Sequence, residues 1–327
     1  MNKYLRWGIR LIGPALLLLF IWRSDWSRLL ASFSSINIWP VLLSLALMPV
    51  FIAVKAWRWN LLMRELGMQA PPLGYSMALY TIGLYLGGLT PGQSGDFIKA
   101  WYLKERGQPL APALFSIVLD RLFDFLIMAL LALLALVEFL DLLPRSAQIA
   151  TIAFAAIVFT LTPLLMARGP REWIITRALP LLPTRVREAI ARWRDQLGAL
   201  SLRPALLAKL VVASVASAAS TIARIYVLFL ALSLSIPLLA IVSSTALIAI
   251  LQALPISFAG IGVRDAILVL VLDRYGSTTE QALTLSALYL LINIEHIIIG
   301  FLVSLRYPLG SPPPADALSQ TEPEMTR

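Results

Sequence analysis

The chain reads as a series of apolar runs cut by short polar segments. After Lys3, Arg6 and Arg10, an apolar run from Leu11 to Trp22 meets Arg23, Ser24, Asp25 and Trp26. No small-residue cleavage site follows, which predicts an uncleaved first span. Further apolar stretches cover about 38 to 57, 73 to 90, 110 to 137, 147 to 167, 205 to 232, 238 to 254, 255 to 272 and 281 to 305. Most approach the ~20 residues a helix needs to cross a bilayer. In hydrocarbon an open strand would leave its backbone unpaired, so the runs predict an all-α, polytopic membrane protein.

The placement of basic residues predicts how the chain threads. The loop from Arg168 to Arg203 holds eight arginines against Glu172, Glu188 and Asp195, which marks it as cytoplasmic, as do the three basic residues at the N-terminus. The first two spans then return the chain inside near Arg58 and Arg64, and the runs 110 to 137 and 147 to 167 go out and back. Parity leaves no single crossing for 73 to 90. That stretch is expected to turn back on its own side, with Pro91, Gly92 and Gly95 of "LTPGQSGD" at the tip.

The second half repeats this upside down. The apolar pair 238 to 272 is broken by "LPISFAGIGVRD", with Pro255, Gly260, Gly262, Arg264 and Asp265 at the break, and Asp273, Arg274 and Glu280 fall outside. The expectation is about six full spans plus two oppositely oriented hairpin helix pairs, re-entrant or fully crossing. They form an inverted repeat of halves at about 38–137 and 205–305 within one transmembrane domain, residues 1–305. Paired Gly/Pro-interrupted segments in inverted halves are a transporter signature.

Within the cytoplasmic segment 168–204, Val186, Ile190, Trp193, Leu197 and Leu200 recur at spacings of four, three, four and three, with arginines off the stripe. An amphipathic helix is predicted, lying on the inner membrane surface or on the protein's own cytoplasmic face. Residues 306–327, "RYPLGSPPPADALSQTEPEMTR", are proline-rich and polar and predict a disordered cytoplasmic tail.

Composition narrows the chemistry. With 59% hydrophobic and 14% charged residues, the chain is no ordinary soluble domain. It has no cysteine and one histidine, which excludes disulfides, thiolate nucleophiles and the usual His or Cys metal clusters. The net charge of +9 lies in short flanks of apolar runs, a membrane-orientation pattern and not a nucleic-acid surface. No nucleotide-binding loop or catalytic motif is present, so no metal, cofactor or directly coupled ATP is expected, and the chain is not expected to be an enzyme.

Charges inside the runs are the candidate site. Asp120, Arg121 and Asp124 lie within "SIVLDRLFDFLIMALLALL", where helical spacing puts Asp120 and Asp124 on one face with Arg121 next to Asp124. Arg224 follows small residues at four-residue spacing, Ala213, Ser217 and Thr221, and Glu295 and His296 lie deep in the last run. An ionised group at mid-bilayer costs roughly 2.5–3.5 kcal/mol, so these must pair or line water. They fit structural ion pairs or a polar pathway. Asp96 fits an ordinary cap of a helix from Phe97, or a helix start offered to an anion. His296 fits a hydrogen-bonded interior residue, or a proton-responsive pair with Glu295.

"LTPGQSGDFIKAWYLKERG", then "SIVLDRLFDFLIMALLALL", then "LPISFAGIGVRDAIL" resemble the motif series of the lysylphosphatidylglycerol synthase transmembrane-region family, the flippase-like domain proteins, over about residues 5 to 305. The family pattern favours Glu where this chain has Asp96, Asp120 and Asp265, Arg where it has Lys99, and a basic residue where it has Gln93. Charge is kept at four of those five positions. The soluble aminoacyl-transferring domain of the synthases is expected to be absent, since the sequence runs only about twenty residues past its last span.

The resemblance implies a multi-pass protein of the bacterial inner membrane that flips a phospholipid or lipid-linked molecule, and the basic-residue pattern with the count of spans puts both termini in the cytoplasm. The lipid would be anionic, aminoacylated or polyprenyl-linked. Lys99, Arg121, Arg224 and Arg264 would meet its phosphate, and Asp96, Asp120, Asp124 and Glu295 would balance them, one of them carrying a coupling proton or holding a cationic headgroup, with Asp265 a further pathway residue. An accessory subunit of a lipid- or glycan-modifying system, and a membrane-embedded transferase using Asp120 and Asp124 as acid and base, are the alternatives. A second copy of the chain or a partner transferase is the expected protein partner.

Overall fold

A computed structural model describes residues 22, 25–167, 169, 172, 173, 176, 177, 204–253 and 262–310. Nearly all of the expected first span, the amphipathic segment, the tip residues Pro255 and Gly260, and the tail beyond residue 310 lie outside these residues. The described residues form helices joined by short turns, with no strand among them. In order they form α1 (Trp26–Ser34), α2 (Ile38–Ala46), α3 (Met48–Glu65), α4 (Leu73–Leu89), a 3-10 turn (Pro91–Phe97), α5 (Ile98–Glu105), α6 (Leu110–Glu138), α7 (Arg145–Met166), α8 (Pro204–Ala231), α9 (Leu238–Ala253), α10 (Val263–Arg274) and α11 (Thr279–Arg306).

Local chemistry sets several boundaries. Asp25 caps α1 by accepting from the Ser27 and Arg28 amides, Asn37 caps α2 through the Trp39 amide, and Thr278 and Gln281 form a capping box on α11. Pro49, in the first turn of α3, accompanies the break between α2 and α3 at Leu47.

Four stretches are long and apolar enough to cross a membrane: Ile38–Glu65, Arg145–Met166, Ala205–Ala231 and Thr279–Arg306. α6 has 29 residues but carries Asp120, Arg121 and Asp124 in its middle. The first of these stretches corrects the expected span 38 to 57. It continues to Glu65, so Arg58 sits inside the bundle with no exposed surface, not at a cytoplasmic edge. Hydropathy cuts the span early because it reads Arg58 without the partners that neutralise it.

The helices build two large cores and two smaller clusters around α6. Phe51, Trp59, Tyr80, Leu103 and Ile117 bind α3 to α6 together, and Phe229, Leu247, Leu268 and Leu285 bind α8 to α11. The far end of α6 joins the second core through Ala132, Ala135 and Phe139. α11 lies against α4, where Gly300 faces the Thr81 carbonyl and Tyr85 so closely that no β-carbon fits.

Contacts also sort by end. Asp141 meets Arg274, and the Asp25 amide faces Glu280, at one end. At the other, the Tyr102 hydroxyl donates to the Tyr307 carbonyl at 2.8 Å and the Gly310 amide to Glu105 Oε1 at 2.9 Å. Residues 306–310, expected to begin a free tail, are thus held against α4 and α5, with Tyr75 edge-on to Tyr307.

Candidate functional site

Arg58 is the hub. Lys55 and Arg58 are three residues apart on α3, and Asp120 and Asp124 four apart on α6, so each pair shares a face and the two faces meet. Arg58 Nε lies 2.8 Å from Asp120 Oδ1, Nη2 lies 2.9 Å from the Asp120 carbonyl and 2.8 Å from Asp124 Oδ1, and Nη1 reaches Ser214 Oγ on α8 at 3.0 Å. Lys55 Nζ sits 2.7 Å from Asp124 Oδ2. The Tyr80 hydroxyl, from α4, donates to the other Asp120 oxygen at 2.5 Å.

The hairpin joins this hub through Asp96. Its carboxylate lies between Lys99 Nζ at 2.8 Å and Arg121 Nε at 3.1 Å. Lys99, with no exposed side-chain surface, also stands 3.9 Å over the Tyr80 ring and 4.9 Å over the Trp59 ring, a cation–π arrangement. Arg121 spends its remaining nitrogens on Gln93, Nη1 on Oε1 at 3.2 Å and Nη2 on the carbonyl at 3.0 Å.

Two expectations are corrected here. Arg121 pairs with Asp96 across the hairpin, not with Asp124 on its own helix, because Lys55 and Arg58 already occupy Asp124. Asp96 does not cap a helix. α5 starts at Ile98 with Phe97 before it and no side-chain cap, and the Asp96 oxygens are committed to cations.

The turn itself needs glycine. Gly92 and Gln93 both take left-handed backbone, with φ of 62° and 55°. A β-carbon on Gly95 would collide with the backbone of Leu86 and Gly87, so the tip folds flat onto the end of α4.

A second cluster gathers around Arg224. Nε donates to the Ser44 carbonyl at 2.9 Å, Nη1 faces His296 Nε2 at 3.0 Å, and Nη2 pairs with Glu295. Phe51 connects this cluster to the first. His296 stacks on its ring at 5.8 Å, while Lys55 Nζ and the Arg224 guanidinium lie 5.3 and 5.7 Å from its centre. Ala213 and Ser217 are buried on the small-residue face of α8.

Arg264 and Asp265 form their own group. Arg264 Nε donates to Ser286 Oγ at 2.7 Å, Ser286 pairs in turn with Asp265, and Asp265 accepts from the Gly262 amide at 2.5 Å. Gly262, with φ of 84°, begins α10. No contact among the described residues joins this group to Arg58 or Arg224.

Sequence reading had not singled out Lys55, Arg58, Tyr80, Trp59, Ser44 and Ser214. One signal was available: Lys55 and Arg58 in "VKAWRWN" share one helical face, as do the two aspartates Asp120 and Asp124.

Depth and exposure together define what the site can do. Arg121 lies eleven residues beyond Leu110, about 17 Å along α6. Its side chain is still 18% exposed, that of Asp124 27% and that of Lys55 11%. Charged atoms within an apolar helix are costly against acyl chains, so such positions favour ion pairs and a polar cavity.

No curated protein matches the sequence. Residues 9–300, most of the chain, match the family described as the lysylphosphatidylglycerol synthase TM region. The chain belongs to the lysylphosphatidylglycerol synthase transmembrane-region family.

Proposed function

We propose that the protein translocates a phospholipid or lipid-linked molecule across the bacterial inner membrane, the headgroup passing along the buried charges while the acyl chains stay in lipid. The observation that carries this reading is the partial exposure of Arg121, Asp124 and Lys55 in the middle of helices that are otherwise apolar. A purely structural lock has no need of an open edge. Arg58 and Asp120 anchor the inner side of the path and the Asp96 hairpin forms its wall.

The architecture supports alternating access. α3, the α4/α5 hairpin and α6 run in the same order as α8, the α9/α10 pair and α11. α5 and α10 have eight and twelve residues, about 12 and 18 Å, short of the ~30 Å hydrocarbon core, which fits two re-entrant pairs among about six full spans. Lys99 and Arg264 are each the second residue of the short returning helix, as an inverted repeat requires. Both termini are cytoplasmic on the basic-residue pattern, with the Asp141–Arg274 end outside.

The protein acts as a transporter and not as an enzyme. Asp120 and Asp124, the carboxylate pair with acid–base spacing on α6, are each paired with a cation, Asp120 with Arg58 and Asp124 with Arg58 and Lys55, which favours a charge-balancing role over acid–base chemistry. A partner transferase, or a second copy of the chain, supplies or receives the lipid. The test is headgroup-labelled lipid in proteoliposomes with an impermeant quencher. The reading expects faster quenching of inner-leaflet label than in protein-free vesicles for at least one anionic, aminoacylated or polyprenyl-linked lipid, and no acceleration for any of them overturns it.

A further inference from the structure

We infer that the site is built for a headgroup with one net negative charge, a phosphate diester, and that this phosphate docks on Arg121 by displacing Gln93. The inference rests on the proposed entry of lipid headgroups into the buried network. It stands on two observations, a charge count and the geometry of Gln93.

Lys55, Arg58, Lys99, Arg121 and Arg224 form one group linked by direct contacts and shared aromatic rings, and they face Asp96, Asp120, Asp124 and Glu295. Among the described residues that is five cations to four carboxylates. His296 adds no charge. Its Nε2 faces Arg224 Nη1 at 3.0 Å, and a guanidinium can only donate, so that nitrogen carries its lone pair and the ring is neutral. Arg264 is matched by Asp265. The stretch between α9 and α10, "LPISFAGI", contains no charged residue. A surplus positive charge in a low-dielectric interior is relieved by one negative charge, whereas a zwitterion leaves it in place and a dianion reverses it.

Gln93 occupies the place where that charge fits. Its side-chain and backbone carbonyls accept from Nη1 and Nη2 of Arg121, the two-pronged contact a guanidinium makes best with two phosphate oxygens. Both occupants are neutral. Gln93 also holds a left-handed backbone, which is costly for a residue with a side chain, and it lies on the exposed tip, so leaving Arg121 strands no buried group. Asp96 keeps Nε and thereby keeps the fork aimed at the opening. Gln93 is a placeholder for an anion.

The experiment measures retention of phosphatidylglycerol (one negative charge) against phosphatidylethanolamine (none) on the full-length protein by native mass spectrometry, with flipping measured in parallel. Wild type is expected to favour phosphatidylglycerol by about tenfold. Gln93→Gly, which removes the side-chain acceptor from Nη1 while the backbone carbonyl stays on Nη2, is expected to raise phosphatidylglycerol binding roughly tenfold, the equivalent of about one neutral hydrogen bond. Lys55→Gln removes the surplus charge and is expected to level the two lipids. Equal binding by the wild type, or no gain in Gln93→Gly, overturns the inference. Selective binding without flipping upholds the site and overturns translocation, whereas flipping without headgroup selectivity does the reverse.

Discussion

Arg58 and Asp120 form an enclosed ion pair between α3 and α6, with Nε and Oδ1 2.8 Å apart and neither side chain exposed. Each charge would be prohibitively costly alone at this depth, and each is neutralised by a residue 62 positions away in sequence. The pair fixes the relative rotation of the two helices, and through it the positions of Asp124, Lys55 and Tyr80.

Removing one partner is therefore worse than removing both. Arg58→Met leaves a buried, uncompensated carboxylate and is expected to cost about 3–5 kcal/mol. Adding Asp120→Asn removes the stranded charge while keeping an acceptor for the Tyr80 hydroxyl, and is expected to restore a large part of the loss. Thermal melting in detergent checks this, and a double variant no more stable than Arg58→Met contradicts it.

Arg224 is expected to resist conservative replacement. Its three nitrogens reach Ser44, His296 and Glu295 on two different helices, which a lysine ammonium cannot do from one position. Arg224→Lys is expected to cost about 2–3 kcal/mol in unfolding free energy, and to slow translocation at least several-fold. Rates and melting equal to wild type would remove the three-way contact from the account.

Gly95→Ala tests the hairpin tip. The added methyl meets the backbone of Leu86 and Gly87, which cannot rotate away, so the tip lifts from α4 and the variant loses about 1–3 kcal/mol. Gly74→Ala is the control, since open space surrounds that position at the start of the same helix. Comparable melting shifts for the two variants would contradict the close approach.

At the opposite end, the hydrogen bond from Arg274 holds the exposed Asp141 carboxylate below its ordinary value near 3.8. A depressed value means that the contribution is complete above the unfolded value and fades as pH falls through the folded one. The melting difference between wild type and Asp141→Asn is expected to be small and constant from about pH 5 to 8, to fade as the pH falls below the ordinary carboxylate value, and to shrink in high salt. A difference that grows on acidification contradicts the pairing.

Much of the fold was legible because a bilayer demands long apolar runs. The expected spans 110 to 137 and 205 to 232 are α6, Leu110–Glu138, and α8, Pro204–Ala231. The site was less legible. Helical spacing put Asp120 with Asp124 on one face but could not say that Arg58 faces them, because that contact depends on how α3 and α6 pack. The same blindness assigned Arg121 to its neighbour Asp124 when a third element, the hairpin tip, supplies Asp96. Gln93 was noted only as a lost charge, and its role as an acceptor for Arg121 follows from a left-handed backbone that no spacing rule encodes.

The central claim is that headgroups cross along the buried charges, and Arg121 is the place to test it, being a rim residue whose loss spares the enclosed Arg58–Asp120 pair. The measurement is the quenching rate of inner-leaflet phosphatidylglycerol label in proteoliposomes containing equal amounts of folded wild type or Arg121→Gln. The account predicts that the wild type accelerates translocation over empty vesicles and that Arg121→Gln retains less than about a tenth of that acceleration, the loss of one charge-assisted contact. Equal rates for the two proteins would contradict it.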